Sequence, residues 1–256
     1  MVSDALIDLT GKSAVVTGGS RGVGRATAVL LARAGCSVAI GYRSRDANAQ
    51  DVVRELEELG VRACAVKGDL SDSQASVELF DIAEERLGGT DFFVGNHGVW
   101  PVEDVALADM DADRWHRTLT VNLDGVFYST REAARRLRDD GRIILVSSTA
   151  GQRGEAFHGD YAASKGALIS LVKGMCVELG PRGITVNAVA PGWIETEMAA
   201  PAMEDGGRER IAASIPIGRI ATAYDVAGPI LFLCTPLARH ITGEVVNVNG
   251  GAVLPG

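Results

Sequence analysis

The chain has little that would serve a metal, a membrane or a nucleic acid. Its four cysteines, Cys36, Cys64, Cys176 and Cys234, are scattered with no C-x-x-C pair. That distribution predicts reduced thiols in a cytoplasmic protein rather than a disulfide framework or a zinc site. The four histidines, His97, His116, His158 and His240, lack metal-ligand spacing. No apolar run approaches the roughly 20 residues that cross a bilayer. The opening "MVSDALIDLTGKS" has neither the basic n-region nor the apolar h-region of a signal peptide. Acidic residues outnumber basic ones, 33 to 25, and the net charge of -8 argues against a nucleic-acid surface. What remains is an ordinary soluble composition, 46% hydrophobic and 23% charged, with enough length to bury a substantial core.

Short apolar runs alternate along the chain with longer amphipathic ones, which signals a parallel sheet. "SAVVTG", "SVAIGY", "VRACAVKGDL", "DFFVGNHG", "GRIILVSS", "GITVNAVAPG" and "GEVVNVNGG" read as seven strands. Between them lie helical patterns, such as "GRATAVLLARAG", with Ala28, Leu31 and Ala32 at helical spacing. One uninterrupted helix is predicted to carry "RWHRTLTVNLDGVFYSTREAARRL", and another, from Tyr161, keeps Leu168, Leu171, Val172, Met175 and Leu179 apolar. There is no repeat or linker-like break. The expectation is one α/β domain over residues 1–256, doubly wound, with a ligand crevice beyond the carboxyl ends of the strands. The polar stretch 193–219 reads as an irregular, movable lid.

"TGGSRGVG" sits where strand one hands over to helix one. Gly18, Gly22 and Gly24, spaced G-x-x-x-G-x-G, allow a tight turn and a close approach by a diphosphate. The helix start that follows offers unpaired N–H groups and a positive dipole end. The spacing departs from G-x-G-x-x-G, and glycines serving only a turn are the alternative; strand before and helix after favour nucleotide binding. Strand two ends "GYRSR" with no acid to grip a ribose 2′-hydroxyl. Arg43, with Arg21 in the glycine loop, can instead meet a phosphate, so NADP(H) is predicted over NAD(H). The alternative is two solvated surface arginines.

"GDYAASKGALISL" places Tyr161 and Lys165 one helical turn apart on one face. A cation beside a phenol favours the phenolate and lowers the pKa. An exposed helix with an incidental lysine is equally compatible with this stretch alone.

Taken in order, "TGGSRGVG", "GDL", "VN", "SS", "YAASK" and "PG" resemble the short-chain dehydrogenases/reductases, over essentially the whole chain. The pattern, with its terminal "ITGEVVNVNGG", is most similar to the 3-oxoacyl-[acyl-carrier-protein] reductase branch. The resemblance implies a single-domain Rossmann fold, a doubly wound seven-stranded parallel sheet with helices on both faces. It implies Tyr161 as catalytic acid/base, Lys165 as the residue that lowers its pKa and holds the nicotinamide ribose, Ser148 on the substrate carbonyl, and Asn122 supporting a water-linked proton relay. Ser147 would point to the other side of the strand. Coenzyme contacts carried over are Gly18, Ser20, Arg21, Gly22, Val23 and Gly24 in the first turn, and Arg43 and Ser44 after strand two. Asp69 and Leu70 would lie by the adenine, Asn96 and Gly98 after strand four, and Pro191, Gly192, Ile194 and Thr196 near the nicotinamide, with Tyr161 and Lys165. No metal is implied. The family also implies a homotetramer.

Two departures matter. Where the family commonly reads N-N-A-G, this chain has "GNHG". His97 is expected to be simply packed; the sharper alternative has it shaping a substrate pocket with Trp100. Acyl carrier protein is an acidic partner that family reductases dock with basic residues, and here "RDDGR" puts Asp139 and Asp140 at one docking site while Arg182 keeps the other. Acid opposes an acidic partner; Arg135, Arg136 and Arg138 could still leave the region basic. The leading function is an NADPH-dependent ketoreductase acting on a small or medium carbonyl compound, with a 3-oxoacyl thioester among the candidates. Its rivals are a secondary-alcohol dehydrogenase working oxidatively and a non-catalytic NADP-binding sensor.

Overall fold

The computed structural model describes residues 7–254. Seven parallel strands form one sheet: β1 (Ser13–Thr17), β2 (Ser37–Tyr42), β3 (Ala63–Lys67), β4 (Thr90–Gly95), β5 (Leu137–Val146), β6 (Thr185–Pro191) and β7 (Val245–Val248). Their order is β3-β2-β1-β4-β5-β6-β7. β1 therefore has β2 on one side and β4 on the other, and the chain reverses direction across the sheet at that point. A crevice opens beyond the strand ends there, as in other doubly wound sheets.

The strands are continuous apolar runs because both faces are covered. Adjacent residues of a strand point to opposite faces. Val16, Ile40, Val94, Ile144 and Val189 thus belong to one core, packed by helices α1 (Gly22–Arg33) and α2 (Asp46–Glu58) and, later in the chain, Val226, Ile230 and Leu233. Val15, Ala39, Phe93, Ile143, Leu145 and Val186 belong to the other. That second layer contains α3 (Ser73–Leu87), with Leu79 and Phe80 buried.

The predicted long helix is interrupted. It forms as α4 (Ala112–Leu119), a π-helical turn (Thr120–Asp124) and α5 (Gly125–Arg136). Asn122 is the fully buried residue of the π turn, and such one-turn widenings often sit at functional sites. β5 starts earlier than the sequence suggests, because Leu137 pairs with Thr90 before a register shift. The stretch 193–219 is less irregular than predicted: a 3-10 turn (Ala200–Met203) and the helix Gly207–Ser214 (α8, once α6 and α7 below are counted) lie within it. The last helix, α9 (Ala223–Cys234), starts in a reciprocal cap in which Thr222 and Asp225 each bond the other's backbone N–H. Among the described residues no helix is long and apolar enough to cross a membrane.

Candidate active site

Beyond the strand ends lies a cavity of about 580 Å³, within the usual size range of ligand pockets. One end is built by the turn from β1 to α1. Gly18 and Gly22 take positive φ, 64° and 54°, which favours glycine at both. A Cβ on Gly24 would come within 2.2 Å of the Gly18 carbonyl oxygen, and one on Gly18 within 3.0 Å of Asn96 Nδ2. Gly24 therefore permits the loop to close on itself and does not line the cavity, whereas Gly18, Ser20, Arg21, Gly22 and Val23 do. Asn96 locks the loop by donating from Nδ2 to the Thr17 carbonyl at 3.0 Å.

The wall continues through Arg43 and Ser44 after β2, Asp69 and Leu70 after β3, Asn96 and Gly98 after β4, Pro191 at the end of β6, and Gly192, Ile194 and Thr196 beyond it. These are the positions predicted to hold the coenzyme, and they converge on one cavity. Arg43 pairs with Asp69 at 3.5 Å. Two contributors went unassigned in the sequence: Arg45, which follows β2 and joins Arg21 and Arg43 as a third guanidinium, and Glu197, which pairs with Arg45 at 3.5 Å and also with Arg21. The run "GYRSR" displays Arg45, but its partnership with Glu197 spans distant parts of the chain.

The other end is chemical. The short helix α6 (Thr149–Arg153) begins at Ser148, whose Oγ accepts from Ala150 N at 3.1 Å. Helix α7 (Gly159–Leu179) carries Tyr161 and Lys165. Lys165 Nζ lies 5.9 Å from the centre of the Tyr161 ring and donates to the Val146 carbonyl at 2.8 Å. Ser147, which also borders the cavity, donates to the Lys165 carbonyl at 2.8 Å and so ties α7 to the segment that leaves β5. Asn122 does not line the cavity. Its Oδ1 accepts from Val99 N at 2.7 Å and its Nδ2 donates to Val99 O at 2.9 Å, fastening the loop after β4. A Cβ on Gly98 would meet Asn122 Oδ1 at 3.1 Å and Lys165 Nζ at 3.3 Å, so both groups reach the same point behind the wall.

The electrostatics correct one expectation. Burial pushes the Tyr161 phenol up to about 12, against a downward pull from the Ser148 hydroxyl, with the Glu155 carboxylate adding to the rise. Burial brings the Lys165 ammonium down to about 8. Loss of solvation dominates at this tyrosine, and the rise follows from burial.

His97 borders the cavity and is held by its neighbours. Its Nδ1 pairs with Thr17 Oγ1 at 2.9 Å, its Nε2 is buried without a partner among the described residues, and a Cβ on Gly125 would sit 2.9 Å from that nitrogen. Burial and the Lys165 charge hold the ring neutral, with its pKa at about 3. Trp100 does not pair with it. The indole stacks on His158 at 4.0 Å, meets Tyr161 edge-on at 4.6 Å and faces Trp193 at 6.4 Å. His158 is fixed by Nε2 against the Pro101 carbonyl at 2.9 Å.

The family described as "Enoyl-(Acyl carrier protein) reductase" matches residues 18–253. The chain belongs to the short-chain dehydrogenases/reductases. An L-rhamnose 1-dehydrogenase (NAD(P)(+)) of Sphingomonas is 39% identical over 247 residues, 95% of this chain and 96% of the relative. The 3-oxoacyl-[acyl-carrier-protein] reductase FabG of Aquifex aeolicus is 38% identical, over 96% and 98%. A short chain dehydrogenase from Burkholderia cenocepacia, solved in complex with NADP, is 40% identical with a TM-score of 0.89, over 95% and 98%. As a short-chain dehydrogenase/reductase this protein is an NAD(P)H-dependent oxidoreductase acting on CH–OH and C=O groups. The residues suit that coenzyme: the glycine turn leaves room that side chains would fill, and three guanidinium groups line one end.

Proposed function

We propose that this protein is an NADPH-dependent ketoreductase converting a small or medium carbonyl compound to a secondary alcohol, with Tyr161 as general acid. One observation carries the reading: Ser148, Tyr161 and Lys165 line the same cavity as the glycine turn and Arg21, Arg43 and Arg45. The bound coenzyme supplies the hydride, and its oxidised ring brings a positive charge to the cleft. Ser148 holds the carbonyl oxygen as negative charge develops there. Tyr161 gives that oxygen its proton. A phenol with a pKa of about 12 and a lysine with a pKa of about 8 differ in the sense needed for the lysine to exchange protons with water near neutrality while the phenol stays protonated. Asn122, beside Lys165 behind Gly98, supports that relay. The segment 193–219 acts as the lid, with Thr196 packed over Gly22.

Carrier-protein docking finds no support in the charges. Arg182 is bound to Asp139 at 2.9 Å, Arg135 to Glu132 at 2.9 Å, Arg138 to Asp91 at 2.9 Å, and Arg136 to both Glu132 and Asp81. A patch already neutralised from within offers an acidic partner little. A free thioester or another carbonyl compound fits better. The oxidative direction is the second reading, favoured by the relative that is an L-rhamnose 1-dehydrogenase. The same residues serve it in reverse, with Tyr161 as base. A homotetramer in the cytoplasm completes the proposal; Phe127, exposed on α5, and the four unpaired cysteines are consistent with it.

A panel of ketones, 3-oxoacyl thioesters, alcohols and sugars, each with both coenzymes, tests the proposal. Turnover of carbonyls with NADPH supports it. Turnover of alcohols or sugars alone, with the oxidised coenzyme, selects the second reading.

A further inference from the structure

Five charged side chains crowd the coenzyme end of the cavity, and their pairing is unequal. Arg43 faces Asp69 at 3.5 Å. Arg21, from the glycine turn, and Arg45, just before α2, both turn to one carboxylate, Glu197, with Arg45 at 3.5 Å from Oε2. Glu197 belongs to the segment that follows β6, next to Thr196, which packs over Gly22. A single carboxylate thus joins that segment to two separate parts of the phosphate-binding end. Its side chain is 53% exposed, and those of Arg21 and Arg45 are 43% and 54% exposed, so these contacts are weak and exchangeable.

We infer that Glu197 is a specificity-determining residue whose carboxylate competes with the 2′-phosphate of NADP(H) for Arg21 and Arg45. The inference rests on the coenzyme site proposed above. Three guanidinium groups would make a strongly cationic cradle and exclude the unphosphorylated coenzyme in relative terms. Two carboxylates among them reduce that preference. A phosphate, with more charge and more acceptor oxygens than a carboxylate, displaces Glu197 from its partners. The unphosphorylated coenzyme has nothing to displace it with and leaves the pairing intact. Glu197 therefore tempers the discrimination between the two coenzymes and couples the 2′-phosphate to the segment after β6.

The test is a fluorescence titration of the intact protein with NADPH and with NADH, read as dissociation constants without any substrate. In Glu197→Gln, NADPH binding tightens about two- to five-fold at low salt, while NADH binding stays where it was. About 0.5 M salt shrinks the difference, because the charges are exposed. In Arg45→Gln the tightening produced by Glu197→Gln becomes smaller, as expected of coupled neighbours. Equal tightening for both coenzymes, no change, or weaker NADPH binding would overturn the inference and leave the proposed function standing. Failure of the unaltered protein to bind either coenzyme would overturn both.

Discussion

Lys165 Nζ stands over the Tyr161 ring, 5.9 Å from its centre, and gives a hydrogen bond to the Val146 carbonyl. Lys165 is buried and Tyr161 partly so, and each group is held toward its neutral form. The site is thus arranged for proton transfer, while a stabilised phenolate requires positive charge beyond the lysine's own.

The buried ammonium carries a stability cost. Its pKa falls from 10.5 to about 8, so below pH 8 the native state holds a proton at a penalty the unfolded chain escapes. Stability then rises with pH between 8 and 10.5, where the unfolded lysine is still charged and the native one is not. Lys165→Met is expected to lose turnover yet to gain stability at pH 7, by about 3 kcal/mol at most. That margin shrinks as pH climbs through the window. Thermal melts of both proteins across pH 7 to 10.5 measure it.

His97 gives the opposite limb of the pH curve. Its pKa of about 3 keeps it neutral in the fold, whereas the unfolded imidazole protonates below about 6.5. Stability contributed by this ring is therefore full above pH 6.5 and lost progressively toward pH 3. His97→Ala lowers stability at neutral pH but makes it fall less steeply on acidification, as urea unfolding at pH 4, 5 and 7 would show. Its substrate preference stays that of the unaltered protein. Trp100→Ala changes that preference, because the indole touches Tyr161 and faces Trp193.

Gly24→Ala tests the closed turn. The new Cβ would lie 2.2 Å from the Gly18 carbonyl oxygen and 2.6 Å from Asn96 Nδ2, and a backbone carbonyl cannot yield cheaply. Destabilisation of about 1–3 kcal/mol is expected, together with weakened binding of both coenzymes, measured by denaturant unfolding and by fluorescence titration.

Much of this was legible in the sequence because it is local. "SVAIGY" becomes β2 with no change of boundary, and the glycine turn falls between β1 and α1 as its composition requires. Ser148, Tyr161 and Lys165 reach one cavity because strand ends and helix starts meet there. What escaped is tertiary. The π turn around Asn122 goes with hydrogen bonds to Val99 across the loop after β4, and "TLTVNLDGV" has no break that would announce it. The stack of Trp100 on His158, and the meeting of Arg45 with Glu197, join residues with no shared local pattern. The pKa of Tyr161 is hidden for a related reason: spacing reveals the neighbouring cation, but only the folded surroundings reveal the desolvation that raises the phenol.

The most direct measurement is the single-turnover reduction of an accepted carbonyl substrate by Tyr161→Phe, set beside its NADPH dissociation constant. General acid catalysis is worth about 10²–10⁴-fold, so the rate should drop by at least that much while NADPH binding stays unchanged. A variant that keeps more than about a tenth of the rate would contradict the role given to this phenol.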